Sequence, residues 1–165
     1  KPERIAIDKL CGSRCAGDPI LTAEIDLMTG PLNGYRYDVI HFNNGLHGAC
    51  NDTEIPLEIY KKGIMDIVSI LRRNQPDARL ILVTSTPMSD KGTHDITVKD
   101  ENNVLIHERN AFLRAYAEEN GFALNDLYAL VAGSPEFPKA DYVHYTGEGA
   151  KRLGAYVADY LRKFL

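Results

Sequence analysis

The sequence lacks tryptophan, contains only three cysteines and has no long apolar run. Because a membrane-spanning helix needs about 18 or more predominantly apolar residues, no membrane span is predicted. Three cysteines are too few for a scaffold built on disulfides, and the odd count slightly favours a reducing compartment. The chain also lacks a charged start followed by an apolar stretch. No signal peptide is therefore predicted in it, and both a cytoplasmic and a secreted location remain open.

An excess of positive charge is also missing. Lys and Arg number 19 against 23 Asp and Glu, and they form no basic cluster of the kind that neutralises a phosphate backbone. Nucleic acid is therefore not an expected partner. The 165 residues, of which 44% are hydrophobic and 25% are charged, fit a single globular domain over residues 1–165.

Strand-like and helix-like segments alternate along the chain, which predicts an α/β fold around a mostly parallel sheet. Four strands are predicted. Residues 37–42 and 79–84 are the two stronger ones, apolar and β-branched as buried parallel strands are. Residues 4–8 are a short strand, and residues 122–124 are a shorter fourth.

Helices are predicted between and after these strands. Residues 57–71 place an apolar side chain every three or four positions, and this helix should stop before Pro76. Another should end at Asn120-Gly121, and a short one is predicted over residues 19–28. The last helix has Thr146 as its expected N-cap. Its apolar stripe comprises Ala150, Leu153, Val157, Leu161 and Phe164.

An aspartate and a histidine precede the last helix. Ligands of open α/β sheets bind beyond the carboxyl ends of the strands, where this segment is expected to lie. Asp141, three residues before His144, can hydrogen-bond the imidazole and stabilise the imidazolium that forms when the ring accepts a proton. A surface histidine that caps a helix would show the same spacing, but the position in the fold favours a catalytic base.

The loop at residues 43–48 follows a hydrophobic strand and contains Asn43, Asn44, Gly45 and His47. Side chains of this kind can donate hydrogen bonds to a developing oxyanion. The alternative is a glycine-containing turn whose amides satisfy local backbone groups. The residues alone favour neither interpretation.

Four residues would supply zinc ligands if their loops met: Cys11, Cys15, His47 and Cys50. Their Cys-x3-Cys and His-x2-Cys spacings depart from the Cys-x2-Cys pairs of structural zinc sites. Buried thiols or a disulfide are therefore favoured, and no metal cofactor is predicted. Among the other histidines, His41 is expected in the core, and His94 and His107 at the surface.

These segments together resemble the SGNH or GDSL-type hydrolase superfamily over nearly the whole chain. Residues 141–144, Asp-Tyr-Val-His, match the last block of the family, Asp-x-x-His, and are the most specific match. Residues 11–13, Cys-Gly-Ser, stand where the second block contributes a glycine. Residues 43–47, Asn-Asn-Gly-Leu-His, are similar to an Asn-x-Gly-Leu-His variant of the third block, which usually reads Gly-x-Asn-Asp.

The resemblance implies a three-layer α/β/α fold with a flavodoxin-like sheet, and an acyl-ester hydrolase that needs no cofactor. His144 would be the base, Asp141 would orient it, and Gly12 with either Asn43 or His47 would bind the oxyanion. The expected substrate is a small-molecule ester, with small acyl groups on a carbohydrate or similar alcohol, because no long apolar lid segment is evident. The alternative is a non-catalytic module that keeps the fold and binds carbohydrate or a partner.

The first block of the family, Gly-Asp-Ser, occurs nowhere in the sequence. It should lie on a central strand, whose loss would leave unpaired edges in the middle of the sheet. We therefore expect a complementary N-terminal segment, outside these residues, to carry the nucleophile. Ser13 and Ser85 are alternatives, although Ser13 falls within the second block and Ser85 fits a turn before Pro87.

Overall fold

The computed structural model describes residues 5–49, 54–89, 103–132 and 134–165. The strands are β1 (Val39–Phe42), β2 (Arg79–Val83) and β3 (Ala123–Asn125). The helices are α1 (Pro19–Thr29), α2 (Leu57–Asn74), α3 (Val104–Asn120), α4 (Leu127–Val131) and α5 (Gly147–Leu161), and a 3-10 turn at Arg162–Phe164 follows. The α/β class predicted from the sequence is confirmed.

The three strands form a parallel sheet in the order β1-β2-β3, with Ile40 opposite Leu80 and Leu82 opposite Leu124. Because side chains alternate between the two faces of a sheet, each strand contributes to two cores. One face packs against α1, α2 and α3. On the other face, Ile81 and Val83 pack against α5. The result is the expected three-layer α/β/α arrangement.

The helix ends follow the local chemistry of the sequence. Thr146 accepts a hydrogen bond from the N–H of Gly149 at 3.1 Å, so the predicted N-cap of α5 is confirmed. Helix α2 ends at Asn74, before Pro76. Helix α3 ends at Asn120 because Gly121 adopts a positive φ of 66°, which glycine reaches without strain. On α5, the predicted stripe is half-buried from Leu153 onward, whereas Ala150 is exposed.

The strand predicted at residues 4–8 is wrong over its described part. Residues 5–8 have no regular secondary structure, and Ile5 and Ile7 are 59% and 75% exposed. Composition alone does not make a strand, and this segment pairs with no other strand in the described part of the chain. Tyr37 holds it instead by donating a hydrogen bond to Asp8 Oδ2 at 3.0 Å.

Strand β1 pairs only with β2 among the described residues. All four of its residues are half-buried, whereas β2, which is paired on both sides, is fully buried from Leu80 onward.

The sequence did not predict the short helix α4. Asp126 caps this helix by accepting a hydrogen bond from the N–H of Ala129 at 3.1 Å. Within the described part of the chain, no helix combines the length and apolarity needed to cross a bilayer.

Candidate active site

Asp141 and His144 form the hydrogen bond expected from their spacing. Asp141 Oδ2 lies 2.8 Å from His144 Nδ1. Its other oxygen, Oδ1, accepts from the backbone N–H groups of His144 at 2.6 Å and Val143 at 2.7 Å. These backbone N–H groups and the imidazole hold the pKa of Asp141 at about 2, against an ordinary 3.8.

The ionised state of Asp141 fixes the tautomer of His144. A carboxylate can only accept hydrogen bonds, so Nδ1 of the ring must carry a proton. In the neutral ring, Nε2 is then left with a lone pair that can accept a proton. The His144 side chain is 78% exposed, which leaves it accessible to a substrate.

The Asp141–His144 turn is attached to the loop that follows β2. Its base is closed by the antiparallel bridge between Lys139 and Tyr145. The ammonium of Lys139 donates to the carbonyl of Pro87 at 2.5 Å, and burial lowers the Lys139 pKa to about 8. A second link runs from the N–H of Ser89 to the carbonyl of Tyr142 at 2.8 Å.

The loop at residues 43–48 leaves β1 at its carboxyl end. Asn43 is exposed, and its Nδ2 donates to the carbonyl of Val83 at 2.9 Å, which ties the loop to the end of β2. The His47 side chain is also exposed. Asn44 Nδ2 donates to the carbonyl of Arg14 at 2.9 Å and so joins this loop to the segment that contains Gly12.

Gly12 lies in an exposed stretch with open space around its backbone. A groove of about 560 Å³ runs beside it. Its walls include the thiol-bearing residues Cys11 and Cys15 and the charged residues Arg14, Asp18 and Glu24. The guanidinium of Arg14 pairs with both acids, at 3.1 Å from Asp18 and 3.3 Å from Glu24.

An apolar cluster joins the two main site loops. Leu46 and Ala49 from the loop after β1 pack in the same cluster as Tyr142 and Val143 from the Asp–His turn. Together with the Asn44–Arg14 contact, this cluster places the predicted site segments along one edge of the sheet. That edge is where the carboxyl ends of the parallel strands lie.

Arg109 is the residue of this region that the sequence reasoning missed. It is completely buried on α3, and its guanidinium donates to the carbonyls of Gly45 at 2.8 Å and His47 at 3.1 Å. A signal for it exists in the sequence. Arg109 falls in register with Ile106, Leu113 and Ala117, the apolar residues of the buried face of α3.

The two candidate serines differ sharply in accessibility. Ser85 is only 2% exposed, and a Cβ added to Gly45 would lie 2.2 Å from its Oγ. Its backbone N–H and carbonyl are both bound by the side chain of Asn110, at 2.8 and 2.9 Å. Ser85 is therefore buried and not accessible to a substrate, and residues 84–89 show no turn of the kind expected before Pro87. Ser13 is exposed.

The remaining cysteines and histidines fall as follows. Cys11 and Cys15 are free thiols, and Cys50 and His94 lie outside the described residues. Over the described ranges, no group of three or more His, Cys, Asp or Glu is placed to hold a metal ion. His107 is exposed, as predicted, whereas His41, which was expected in the core, is half-buried.

Solved structures of lipases and esterases share this architecture. A GDSL-like lipase from Bacteroides thetaiotaomicron VPI-5482 is 23% identical, with a TM-score of 0.61 over 78% of this chain and 63% of that one. A peptidoglycan O-acetylesterase is 18% identical, with a TM-score of 0.66 over 86% and 40% of the respective chains. The fold is that of the SGNH/GDSL hydrolases. A lipase/acylhydrolase from Enterococcus faecalis agrees, at 17% identity and a TM-score of 0.63 over 92% and 72%.

The likeness to the SGNH/GDSL hydrolases is one of fold. The chain spans less than two thirds of the Bacteroides lipase and of the O-acetylesterase. No protein-family model and no curated protein sequence matches it. The likeness therefore extends to the fold of this chain and not to the roles of its individual residues.

Proposed function

We propose that this domain belongs to a serine ester hydrolase in which His144 is the general base and Asp141 orients it. The observation that carries the proposal is the 2.8 Å contact between Asp141 Oδ2 and His144 Nδ1 on an exposed turn of an SGNH/GDSL-type fold. The serine oxygen attacks the ester carbonyl as its proton passes to His144 Nε2. The resulting imidazolium, stabilised by the Asp141 carboxylate, then protonates the leaving alcohol.

The second half of the reaction reverses these roles. A water molecule gives a proton to His144 and attacks the acyl-enzyme, and His144 returns a proton to the serine as the acid departs. No cofactor enters this scheme. Gly12 N–H and a side chain of the loop after β1 bind the oxyanion that forms in both halves.

Asn43 and His47 are both candidates for that second donor. Asn43 Nδ2 gives one N–H to Val83 and has a second N–H to offer. His47 is exposed on the same loop. Alanine substitution of Asn43 and of His47, one at a time, identifies the donor. Loss of one oxyanion donor lowers kcat by about 100-fold to 1000-fold, so the substitution with that effect marks the residue that binds the oxyanion.

The nucleophile, on this proposal, is carried by a complementary N-terminal strand that pairs with β1. Three observations support this strand. The sequence contains no Gly-Asp-Ser, all of β1 is half-buried, and residues 5–8 join no sheet. A parallel strand beside β1 would end at the same edge as the Asp–His turn and so bring its serine there.

The substitution His144→Ala in the intact protein tests the assignment. We expect loss of p-nitrophenyl acetate hydrolysis by several orders of magnitude. His107→Ala is the matched control, since His107 is an exposed histidine that lies on α3 and contacts Tyr128. Retention of activity in His144→Ala, with His107→Ala as reference, contradicts the proposal.

Small acyl esters of carbohydrates or similar alcohols are the proposed substrate class. The groove beside Gly12 favours an ester whose alcohol part is polar, because its walls carry the charged side chains of Arg14, Asp18 and Glu24. One solved structure of the same fold is a peptidoglycan O-acetylesterase. Rates of hydrolysis of acetylated sugars and of p-nitrophenyl esters with increasingly long acyl chains test this substrate class. A preference for long acyl chains contradicts it.

The absence of Gly-Asp-Ser from these residues also favours a second candidate, a non-catalytic module that binds carbohydrate or a partner protein. Labelling of the intact protein with a fluorophosphonate distinguishes the two. Covalent modification supports the hydrolase, and the modified peptide identifies the serine. An unlabelled, folded protein supports the binding module.

A further inference from the structure

The loop at residues 43–49 contains no helix or strand, yet three of its backbone carbonyls accept hydrogen bonds from a buried side chain. Arg109 binds them from α3. One terminal nitrogen donates to Gly45 and His47, and the other donates to Gly48 and, at 3.4 Å, to Ile55. These contacts connect residues more than 50 positions apart in the sequence.

Tyr60 on α2 completes this arrangement. Its ring lies 4.7 Å from the guanidinium carbon of Arg109, and its hydroxyl donates to the carbonyl of Asn44 at 2.8 Å. Both side chains are at most 1% exposed. Burying a guanidinium is costly unless its donors are used, so the conformation of this loop and the position of Arg109 depend on each other.

We infer that Arg109 is a positioning residue that holds the loop after β1 in the conformation that presents Asn43 and His47 to the active site. With the backbone carbonyls bound from inside, the side chains of Asn43 and His47 remain exposed on the outer surface. The inference rests on the proposed function, because it assigns the loop to the oxyanion site. It adds Arg109, a buried residue that binds this loop from inside the protein.

Only an arginine can make this set of contacts. The guanidinium is a rigid planar fork with five donors, whereas a lysine ammonium is a single point with three. Arg109→Lys therefore keeps the charge but cannot reach the carbonyls of Gly45 and Gly48 through two separate nitrogens. Arg114→Lys is the matched control, since Arg114 lies on the same helix but its guanidinium pairs with Asp126, at 2.8 Å, and not with the carbonyls of this loop.

The first measurement is hydrogen–deuterium exchange on the intact protein, which needs no enzymatic activity. We expect Arg109→Lys to accelerate exchange of the amides in residues 43–49 by about tenfold or more, with α2 unchanged. Arg114→Lys should leave that loop unchanged. Equal acceleration throughout the domain, or none in the loop, overturns the inference.

The second measurement separates kcat from KM for p-nitrophenyl acetate. Arg109→Lys should lower kcat by about 10-fold to 100-fold and leave KM within about twofold, since oxyanion contacts strengthen in the transition state. A boronic acid that mimics the tetrahedral state should lose affinity in parallel. Arg114→Lys should match the wild type in all three values, and an unaltered kcat in Arg109→Lys overturns the inference.

Tyr60→Phe provides a milder variant in case Arg109→Lys does not fold. It removes only the hydroxyl that donates to Asn44. We expect a smaller change in the same direction, about threefold to tenfold in kcat, with loop exchange again accelerated. Wild-type kinetics in Tyr60→Phe counts against the inference. If the wild-type protein hydrolyses no ester, the proposed function fails, while loop exchange still decides whether Arg109 holds the loop.

Discussion

Asp141 contacts His144 through both of its carboxylate oxygens. Oδ1 accepts the backbone N–H of His144 at 2.6 Å, and Oδ2 lies 2.8 Å from ring atom Nδ1. One carboxylate therefore fixes both the turn of the chain and the orientation of the imidazole. The same contacts that build the turn prepare Nε2 to accept a proton.

The first prediction concerns Asp141→Asn. An amide can donate to Nδ1, which favours the tautomer with the proton on Nε2 and removes the base. We expect kcat for ester hydrolysis by the intact protein to fall by about 1000-fold to 10,000-fold. Asp159→Asn is the control, because Asp159 is an exposed acid that pairs only with Arg162 among the contacts described. A loss below tenfold would be incompatible with the assigned role.

The second prediction concerns the pH dependence of the same carboxylate. Its pKa is lowered to about 2 in the folded protein from 3.8, so its stabilising contribution is present above pH 3.8 and is lost as the pH falls toward 2. The difference in unfolding free energy between wild type and Asp141→Asn should shrink over that window. Urea unfolding between pH 2 and 6 measures it; a gap that stays constant down to pH 2 contradicts the prediction.

The third prediction concerns His41, whose pKa burial lowers from 6.5 to about 4. Its Nε2 lies 3.1 Å from Asn125 Nδ2, which suits a neutral ring that accepts a hydrogen bond. Between pH 6.5 and 4 the unfolded chain binds the proton and the folded chain does not, so stability falls as the pH falls. Relative to His41→Gln, the wild type should lose up to about 3 kcal/mol across this window.

Chemical denaturation at several pH values tests the His41 prediction. An NMR titration of the ring gives an independent check. A His41 midpoint near 6.5 in the folded protein, or a stability gap to His41→Gln that does not change with pH, would show that the ring is not held neutral.

The fourth prediction compares two helical glycines. A Cβ on Gly63 in α2 would lie 1.9 Å from the carbonyl oxygen of Ala16, whereas a Cβ on Gly154 in α5 would meet open space. Gly63→Ala should therefore destabilise the fold by about 1 to 3 kcal/mol, because backbone atoms would have to move. Gly154→Ala should stabilise it by about 0.5 to 1 kcal/mol through helix propensity. Equal effects in a urea titration would contradict the close approach at Ala16.

The sequence by itself determined the elements that depend on neighbours along the chain. Apolar spacing gave α2, the left-handed preference of glycine ended α3 at Gly121, and Thr146 marked the start of α5. The Asp141–His144 contact belongs to the same class, since its partners are three residues apart. Such features follow from local geometry and can be read without the rest of the fold.

Only the tertiary structure decided the features that depend on distant partners. Residues 5–8 have the composition of a strand but lack a ladder to pair with, so composition alone misassigned them. Ser85 is excluded as an exposed nucleophile because Gly45, from another loop, covers it. Arg109 reaches carbonyls 61 to 64 positions earlier in the chain. Contacts of this range depend on how strands and helices are assembled, which the local spacing of residues does not encode.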